Sequence, residues 1–294
     1  MRLVVTGREG QVARSLIERA RSATNVEVIA LGRPELDLAR PATVTEALAA
    51  ARPDLIVSAA AYTAVDLAED EPELAFAINC SGAGAVAKSA SKIGVPVIHL
   101  STDYVFDGQG EQPYDETVEP APRSVYGLSK LAGEKAVAAA NTHHLILRTA
   151  WLHSPFGRNF VKTMLTLAGQ KTEIPVVADQ WGNPTSALDI ADAILRIASE
   201  LQRGGDGKLY GLYHLAGTGV TNWSGLARHV MATSRQLGGP SAAIRDIATA
   251  DYPTKAQRPA YSCLSSEKFG KVFGWTAPAW EHSVSEVVTR LCRA

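Results

Sequence analysis

The amino-acid sequence predicts an α/β protein built on a doubly wound parallel sheet, and two observations support this fold class. First, short apolar runs alternate with longer alanine-rich helical patterns through the first half of the chain. Strict alternation of this kind implies parallel strands joined by right-handed crossovers. Second, the runs at 55–57 and 95–98 are apolar without polar alternation, which is typical of strands covered by helices on both faces.

The first half of the chain contains the predicted strands of this sheet. The first strand covers residues 2–6 and leads into a glycine-containing turn and an amphipathic helix that reaches Arg21. The other strands are predicted at 26–31, 54–59, 95–100 and 144–149, with helices between them around 43–51, 72–93 and 125–140.

The glycine-containing turn carries the first functional signal. Glycines at positions 7 and 10 permit a tight turn and a close approach to a pyrophosphate, while the N-terminus of the following helix attracts an anion. The spacing Gly-x-x-Gly is shorter than Gly-x-Gly-x-x-Gly, and alone it also fits a simple strand-to-helix turn. Within a βαβ pattern it predicts a Rossmann-like dinucleotide site. The predicted cofactor contacts in this turn are Gly7, Gly10, Gln11 and Val12.

Beyond residue 151 the regular alternation weakens. Helices are predicted near 187–202, 223–236 and 281–292, separated by loops rich in proline and glycine. We therefore predict a dinucleotide-binding domain over 1–150 and a smaller, interleaved C-terminal substrate-binding lobe over 151–294. A strand near 212–215 is expected to rejoin the main sheet.

A second functional signal is the combination of Thr102, at the end of a predicted strand, with Tyr126 and Lys130 on a predicted helix. A spacing of four places the tyrosine and lysine one above the other, where the cation can lower the pKa of the phenol and make it a usable acid. A surface tyrosine beside a solvated lysine fits the same pair. Together with the glycine turn, the three residues predict proton delivery during reduction of a carbonyl.

Composition and charge exclude several classes of protein. A formal net charge of −1, with no block of like charges, argues against nucleic acid as the main partner. No apolar run reaches membrane-spanning length, and the chain begins with a strand pattern instead of a signal peptide, so we expect a cytoplasmic protein. The three cysteines are scattered and the histidines lack ligand spacing, so no metal site is predicted.

The motifs resemble those of a known family. In this order, Gly7-x-x-Gly10, Ser101-Thr102-Asp103 and Tyr126-x-x-x-Lys130 resemble the extended short-chain dehydrogenase/reductase superfamily. Longer segments along nearly the whole chain are similar to its dTDP-4-dehydrorhamnose reductase family: Ala60-Ala-Tyr-Thr-Ala-Val-Asp66, Ser101-Thr-Asp-Tyr-Val-Phe-Asp-Gly108, Arg148-Thr-x-Trp151, Asp179-Gln-x-Gly-x-Pro-Thr185 and Arg258-Pro259.

The resemblance implies a reaction and a set of roles. The reaction is reduction of the C4 keto group of dTDP-4-dehydro-L-rhamnose by NADPH or NADH, the last step of dTDP-rhamnose biosynthesis. Tyr126 would donate the proton, Thr102 would hydrogen-bond the same oxygen, and Lys130 would hold the ribose hydroxyls. The other implied contacts are Asp37 and Leu38 at the adenine, Ala61, Tyr62 and Thr63 along the cofactor channel, and Thr102, Asp103 and Trp151 at the deoxysugar.

Two arginines and an acidic cluster are interpreted from their positions. Arg33 follows the second strand where no carboxylate stands, which favours the 2′-phosphate of NADPH over NADH, although a solvated turn residue also fits. Arg258 is a candidate partner for the substrate's diphosphate. Asp66, Glu69 and Asp70 are expected to form a solvated helix start.

Several alternatives stay open from the sequence. Trp151 could pack beneath the second lobe, and Asp103 could cap a turn. Some relatives bind Mg²⁺ between subunits through glutamates, but this chain has Ser15 at one such position, so Mg²⁺ is possible without an identified protein ligand. The chain could be a monomer or a homodimer. Its activity could be that of a reductase or epimerase of another nucleotide sugar, or it could be a non-catalytic regulatory subunit.

Overall fold

The computed structural model describes residues 1–23, 25–204 and 207–293; residues 24, 205, 206 and 294 of the predicted domains lie outside the described part. In chain order the first half contains β1 (Arg2–Thr6), α1 (Gln11–Ala20), β2 (Glu27–Leu31), α2 (Pro41–Ala51), β3 (Leu55–Ser58), α3 (Val65–Ala68), α4 (Pro72–Phe76), α5 (Ala83–Ile93), β4 (Val97–Thr102), α6 (Val125–Ala140) and β5 (His144–Thr149). The second half contains β6 (Leu152–His153), α7 (Phe160–Ala168), β7 (Glu173–Val177), β8 (Trp181–Gly182), β9 (Thr185–Ser186), α8 (Ala187–Gln202), β10 (Gly211–His214), β11 (Thr221–Asn222), α9 (Trp223–Gln236), β12 (Ala243–Ile247), α10 (Glu267–Phe273) and α11 (Trp280–Arg293).

The centre of the molecule is a six-stranded sheet in the order β2-β1-β3-β4-β5-β10, and every neighbouring pair is parallel. This confirms the predicted fold class. The chain proceeds from β1 to one side and then crosses to β3 on the other side of β1, which creates a topological switch point. Open α/β sheets bind ligands beyond the carboxyl ends of strands at such a point.

The apolar strands are buried on both faces, as their lack of polar alternation predicts. Leu3, Leu55 and Leu145 belong to a cluster that also contains buried residues of α8. The intervening residues, such as Val4 and Ile56, join the opposite cluster with residues of α2 and α5. Side chains alternate between the two faces of each strand, and helices exclude water from both.

The predicted helix over 72–93 is interrupted. α4 and α5 are separated by a π-helical turn at Ala77–Gly82, which local sequence periodicity does not distinguish from an α-helix. Gly82 in this turn packs against Leu38, where an added Cβ would lie 2.7 Å from the leucine. Asn79 in the same turn is buried and contributes to the site described below.

The part of the chain after residue 151 contributes to two cores. α7, α9, α11, β7 and β12 surround a separate apolar cluster, whereas α8 packs on α1 and β10 lies at the edge of the main sheet beside β5. The chain therefore crosses between the lobes more than once, and the division at residue 150 stays a prediction. Among the described residues, the structure has no helix long and apolar enough to cross a membrane.

Candidate active site

A cavity of about 1220 Å³ lies beyond the carboxyl ends of β1, β3, β4 and β5. Every site residue predicted from the sequence lines it except Arg258. These residues are Gly7, Gly10, Gln11, Val12, Arg33, Asp37, Leu38, Ala61, Tyr62, Thr63, Thr102, Asp103, Tyr126, Lys130 and Trp151. The parallel topology explains the convergence, because it brings the ends of distant strands to one edge of the sheet.

The glycine turn between β1 and α1 has open space on its cavity side. Gly7 has a φ of +96°, which a side chain would rarely tolerate. Gly10 precedes α1 with ordinary extended geometry and no side-chain cap, and an added Cβ would meet no atom within 4 Å. The first N–H groups of α1 are therefore available to an anion. The Gln11 carboxamide oxygen accepts hydrogen bonds from Ser154 Oγ at 2.8 Å and Asn159 Nδ2 at 3.0 Å, which join this turn to the second lobe.

Tyr126 lies in the first turn of α6, close against the segment that follows β4. The N-terminus of α6 is capped by Ser124, whose hydroxyl accepts a hydrogen bond from Gly127 N at 3.1 Å. Gly127 allows the close approach, because a Cβ there would lie 2.2 Å from the carbonyl oxygen of Tyr104. The rings of Tyr104 and Tyr126 meet edge to face with centroids 5.5 Å apart. The Lys130 ammonium donates to the carbonyl oxygen of Leu100 at 2.5 Å.

Burial dominates the ionisation of the tyrosine and lysine. Burial raises the pKa of Tyr126 well above its usual range; a hydrogen bond with Thr102 opposes this rise, and Asp103 and Tyr104 add to it. The lowering of this pKa expected from Lys130 is not seen in this structure, since desolvation is the largest cause and Thr102, not Lys130, opposes it. Burial also lowers the pKa of Lys130 to about 8, against an opposing effect of Glu134.

Asp103 is a buried carboxylate at the cavity wall. Burial raises its pKa to about 6, and the neighbouring hydroxyl groups of Ser262 and Thr102 oppose the rise. The Thr102 hydroxyl donates to Asp103 Oδ1 at 2.9 Å, while Oδ2 has no hydrogen-bond partner in the described part of the chain. The cap of the short turn at Asp103–Val105 is the side chain of Thr102, which accepts from Tyr104 N. Oδ2 thus has unused acceptor capacity but almost no surface accessible to water in this conformation.

Trp151 lines the cavity and also packs against the second lobe. Its backbone has a φ of +46°, a left-handed conformation that costs a tryptophan about 1–3 kcal/mol. Its ring stacks on Trp223 with centroids 3.6 Å apart. Gly182 leaves room for this ring, since a Cβ there would approach it to 2.4 Å. The packing holds the strained residue in place, so the two sequence interpretations of Trp151 are compatible.

The acidic cluster lies at α3, with Asp66 in the first turn of the helix and partly exposed as expected, but its carboxylates also have partners that the sequence did not reveal. Asp66 forms an ion pair with Arg258, and Asp70 forms one with Lys255. Glu69 Oε1 accepts a hydrogen bond from Val125 N at 2.9 Å. A segment from the far end of the chain crosses over α3, a proximity that local sequence patterns do not reveal.

Two buried polar groups supporting the site were missed from the sequence. Asn79 Oδ1 accepts from Tyr62 N at 2.8 Å, and its Nδ2 donates to Tyr62 O at 3.1 Å and to Ser129 Oγ at 3.0 Å. This side chain fixes the Ala61–Thr63 loop against α6. No local sequence pattern identified Asn79 as a residue of the site.

The second missed group is the ion pair between Glu134 and Arg148, which lies beneath the site. Glu134 accepts two hydrogen bonds from the guanidinium, at 2.9 and 2.7 Å, and one from Ser101 Oγ at 2.5 Å. Both charged side chains are nearly inaccessible to water. An arginine within the apolar run of β5 was the available signal, because a buried arginine requires an acidic partner.

No group of three or more histidine, cysteine, aspartate or glutamate residues is arranged to hold a metal ion in the ranges 1–23, 25–204 and 207–293. Ser15, at the position considered for a metal-binding glutamate, is buried in α1.

Comparison with known proteins assigns the chain to a family. A family model described as the RmlD substrate binding domain matches residues 1–293. A dTDP-4-dehydrorhamnose reductase of Sinorhizobium fredii is 49% identical over 291 residues, which cover 99% of this chain and 98% of the relative. The chain belongs to the dTDP-4-dehydrorhamnose reductase family.

Solved structures of the family agree with this assignment. A crystal structure of a dTDP-4-dehydrorhamnose reductase from Clostridium acetobutylicum has a TM-score of 0.91 at 35% identity and covers 99% of both chains. A family member from Bacillus anthracis, solved in complex with NADP, has a TM-score of 0.90 at 33% identity, with 98% of this chain and 99% of that chain covered.

Proposed function

We propose that this chain reduces the C4 keto group of dTDP-4-dehydro-L-rhamnose to give dTDP-L-rhamnose, with NADPH as the reductant. The observation that carries the proposal is a single cavity containing the glycine turn, Thr102, Tyr126 and Lys130. Membership of the dTDP-4-dehydrorhamnose reductase family supports the substrate, and the NADP complex of the Bacillus anthracis relative supports the cofactor.

The residues along the cavity support a dinucleotide as its occupant. The open face of Gly10 and the free N–H groups of α1 suit a pyrophosphate. Arg33 would bind the 2′-phosphate, and Lys130 would bind the ribose hydroxyls. Asp37 and Leu38 would contact the adenine, and residues 61–63 would line the channel. When bound, the nicotinamide supplies the hydride equivalent for C4.

The proton comes from the protein in this proposal. The Tyr126 phenol has a pKa that is not lowered, so it is protonated at neutral pH and can donate to the developing alkoxide, which is the stronger base. Thr102, whose hydroxyl donates to Asp103 Oδ1 in this structure, would turn that hydrogen bond to the same oxygen and fix its position. Lys130 lies one turn along α6, where its ammonium donates to Leu100 O, and it is assigned to the ribose hydroxyls of the cofactor and not to the acidity of Tyr126.

Asp103 and Trp151 would recognise the deoxysugar. Asp103 lines the cavity, and its carboxylate would accept a hydrogen bond from a sugar hydroxyl after a rotation that exposes Oδ2. The Trp151 ring offers an apolar face to the sugar. Mg²⁺ enters this proposal only as a companion of the substrate's diphosphate.

The function is tested by adding enzymatically prepared dTDP-4-dehydrorhamnose to the protein with NADPH and following cofactor oxidation. We expect one NADPH to be consumed for each sugar nucleotide, with dTDP-L-rhamnose as the product identified by NMR. Epimerisation of the sugar without stoichiometric oxidation of NADPH would favour an epimerase. An absence of turnover with several keto sugars would favour a regulatory subunit.

Gly10→Ala is expected to weaken NADPH binding by about tenfold or more, because the added methyl group occupies the space proposed for the pyrophosphate. The fold should tolerate the change, since the position has room and ordinary backbone angles. Isothermal titration calorimetry measures the affinity, and thermal unfolding of the free protein is the control. Unchanged affinity in a stably folded variant would argue against this placement of the pyrophosphate.

Arg33→Gln is expected to raise the Kd of NADPH by about tenfold and to leave that of NADH nearly unchanged, because a hydrogen bond to a charged group contributes about 1.5–3 kcal/mol. The matched comparison is Arg8→Gln, since Arg8 lies on the same cavity wall but is paired with Glu35 at 2.8 Å. Equal losses for both cofactors would contradict a role at the 2′-phosphate.

A further inference from the structure

Arg258 lies on the segment that crosses over α3, where its side chain contacts Tyr104 and Asp66, and it does not line the cavity. One guanidinium nitrogen donates to the Tyr104 hydroxyl at 3.0 Å, and another forms the ion pair with Asp66. The Arg258 side chain is only 23% exposed. Its charge is therefore already neutralised by a carboxylate, and a diphosphate would have to displace Asp66 to take its place.

Tyr104 connects this arginine to the residues proposed to handle the proton. Its ring contacts the Tyr126 ring edge to face, and its backbone N–H donates to Thr102 Oγ1 at 3.2 Å. Its carbonyl oxygen lies against Gly127, the residue that follows Tyr126. Tyr104 thus touches both Thr102 and the first turn of α6.

The edge-to-face contact alone is a weak restraint. Such aromatic pairs contribute about 0.5–1.5 kcal/mol, which leaves a ring at a cavity wall free to explore other rotamers. A charged donor at the far end of the ring adds a stronger, directional contact. Asp66 orients that donor, because its carboxylate pairs with a second nitrogen of the same guanidinium.

We propose that Arg258 is a positioning residue. It acts through the Tyr104 hydroxyl to hold the side chains of Tyr126 and Thr102 in their positions relative to each other, and Asp66 orients its guanidinium. The inference rests on the proposed function, since it assigns a role to a contact behind its proton donor. It replaces a direct contact between Arg258 and the diphosphate.

The test is a cycle of four proteins: the wild type, Arg258→Met, Tyr104→Phe and the double variant. Each single change is expected to lower kcat about tenfold, because small misplacements of reacting groups are costly. The Kd of dTDP should change less than about twofold. The double variant should be no slower than Arg258→Met within about twofold, since the two groups act as a unit.

Lys255→Met is the matched control. It removes the neighbouring ion pair of the same crossing segment, with Asp70, and does not touch Tyr104. Its kcat should stay within about twofold of the wild type, as exposed ion pairs contribute little. An equal loss in this variant would attribute the effect to general docking of the segment and overturn the inference.

Other outcomes separate the alternatives. A large increase in the Kd of dTDP for Arg258→Met with unchanged kcat would identify a diphosphate ligand and overturn the inference, as would multiplicative losses in the double variant.

If Arg258→Met does not fold, Asp66→Asn takes its place in the cycle. It should lower kcat about threefold and be non-additive with Tyr104→Phe, and an unchanged kcat would overturn the inference.

Failure of the proposed function would be recognised separately, by an absence of turnover in the wild type. The free energies of unfolding of the same four proteins are then measured by equilibrium denaturation in urea. A positive coupling between positions 104 and 258 there supports the contact, and additive changes overturn it.

Discussion

Replacing Tyr126 with Phe is expected to lower kcat by about a thousandfold, because the variant keeps the ring but loses the proton donor. The ring packs edge to face with Tyr104, and this contact does not need the hydroxyl. Binding of NADPH should therefore change by less than about twofold. Steady-state kinetics at saturating cofactor and calorimetric titration measure the two effects.

Tyr213→Phe is a matched control for this experiment. It removes another phenolic hydroxyl, which donates to Leu209 O at 2.9 Å and belongs to a residue outside the cavity. We expect its kcat to remain near that of the wild type. A Tyr126→Phe protein that retains most of its turnover would remove Tyr126 from its proposed role and transfer the proton donation to another group.

Glu134→Gln is expected to reduce the free energy of unfolding by about 3–5 kcal/mol, because it leaves the Arg148 guanidinium buried without a countercharge. The two side chains are 6% and 3% exposed, so water cannot replace the lost partner. Glutamine preserves the shape of the side chain, which isolates the effect of charge. Urea denaturation at equilibrium measures the change.

Two further variants test whether the unpaired buried charge causes this loss of stability. Glu173→Gln removes half of an ion pair in which both side chains are 55% exposed, and it should cost less than about 1 kcal/mol. Replacing both Glu134 and Arg148 with Met should recover much of the loss, since no unpaired charge then remains buried. A loss below about 1 kcal/mol in Glu134→Gln would mean that the guanidinium finds water or another partner.

Patterns of near neighbours predicted the fold class and the glycine turn, and the resemblance to a family predicted most of the other residues of the cavity. Apolar runs predicted the strands because their side chains alternate between two buried faces, as Leu3 and Val4 do. The spacing of Tyr126 and Lys130 predicted a shared helical face because the period of an α-helix is local. Gly7 was recognisable because a positive φ restricts the residue types that a turn accepts.

The sequence by itself thus determined the strands and the glycine turn, since each depends on residues a few positions apart. Its motifs indicated other residues of the cavity wall through their resemblance to a family. Only the tertiary structure decided the partners of Arg258 and Glu134, the stacking of Trp151 on Trp223, and the ionisation of Tyr126. Asp66 and Arg258 are 192 positions apart, and chain folding alone brings them together. The pKa of Tyr126 follows from burial, which depends on every segment that excludes water from the phenol.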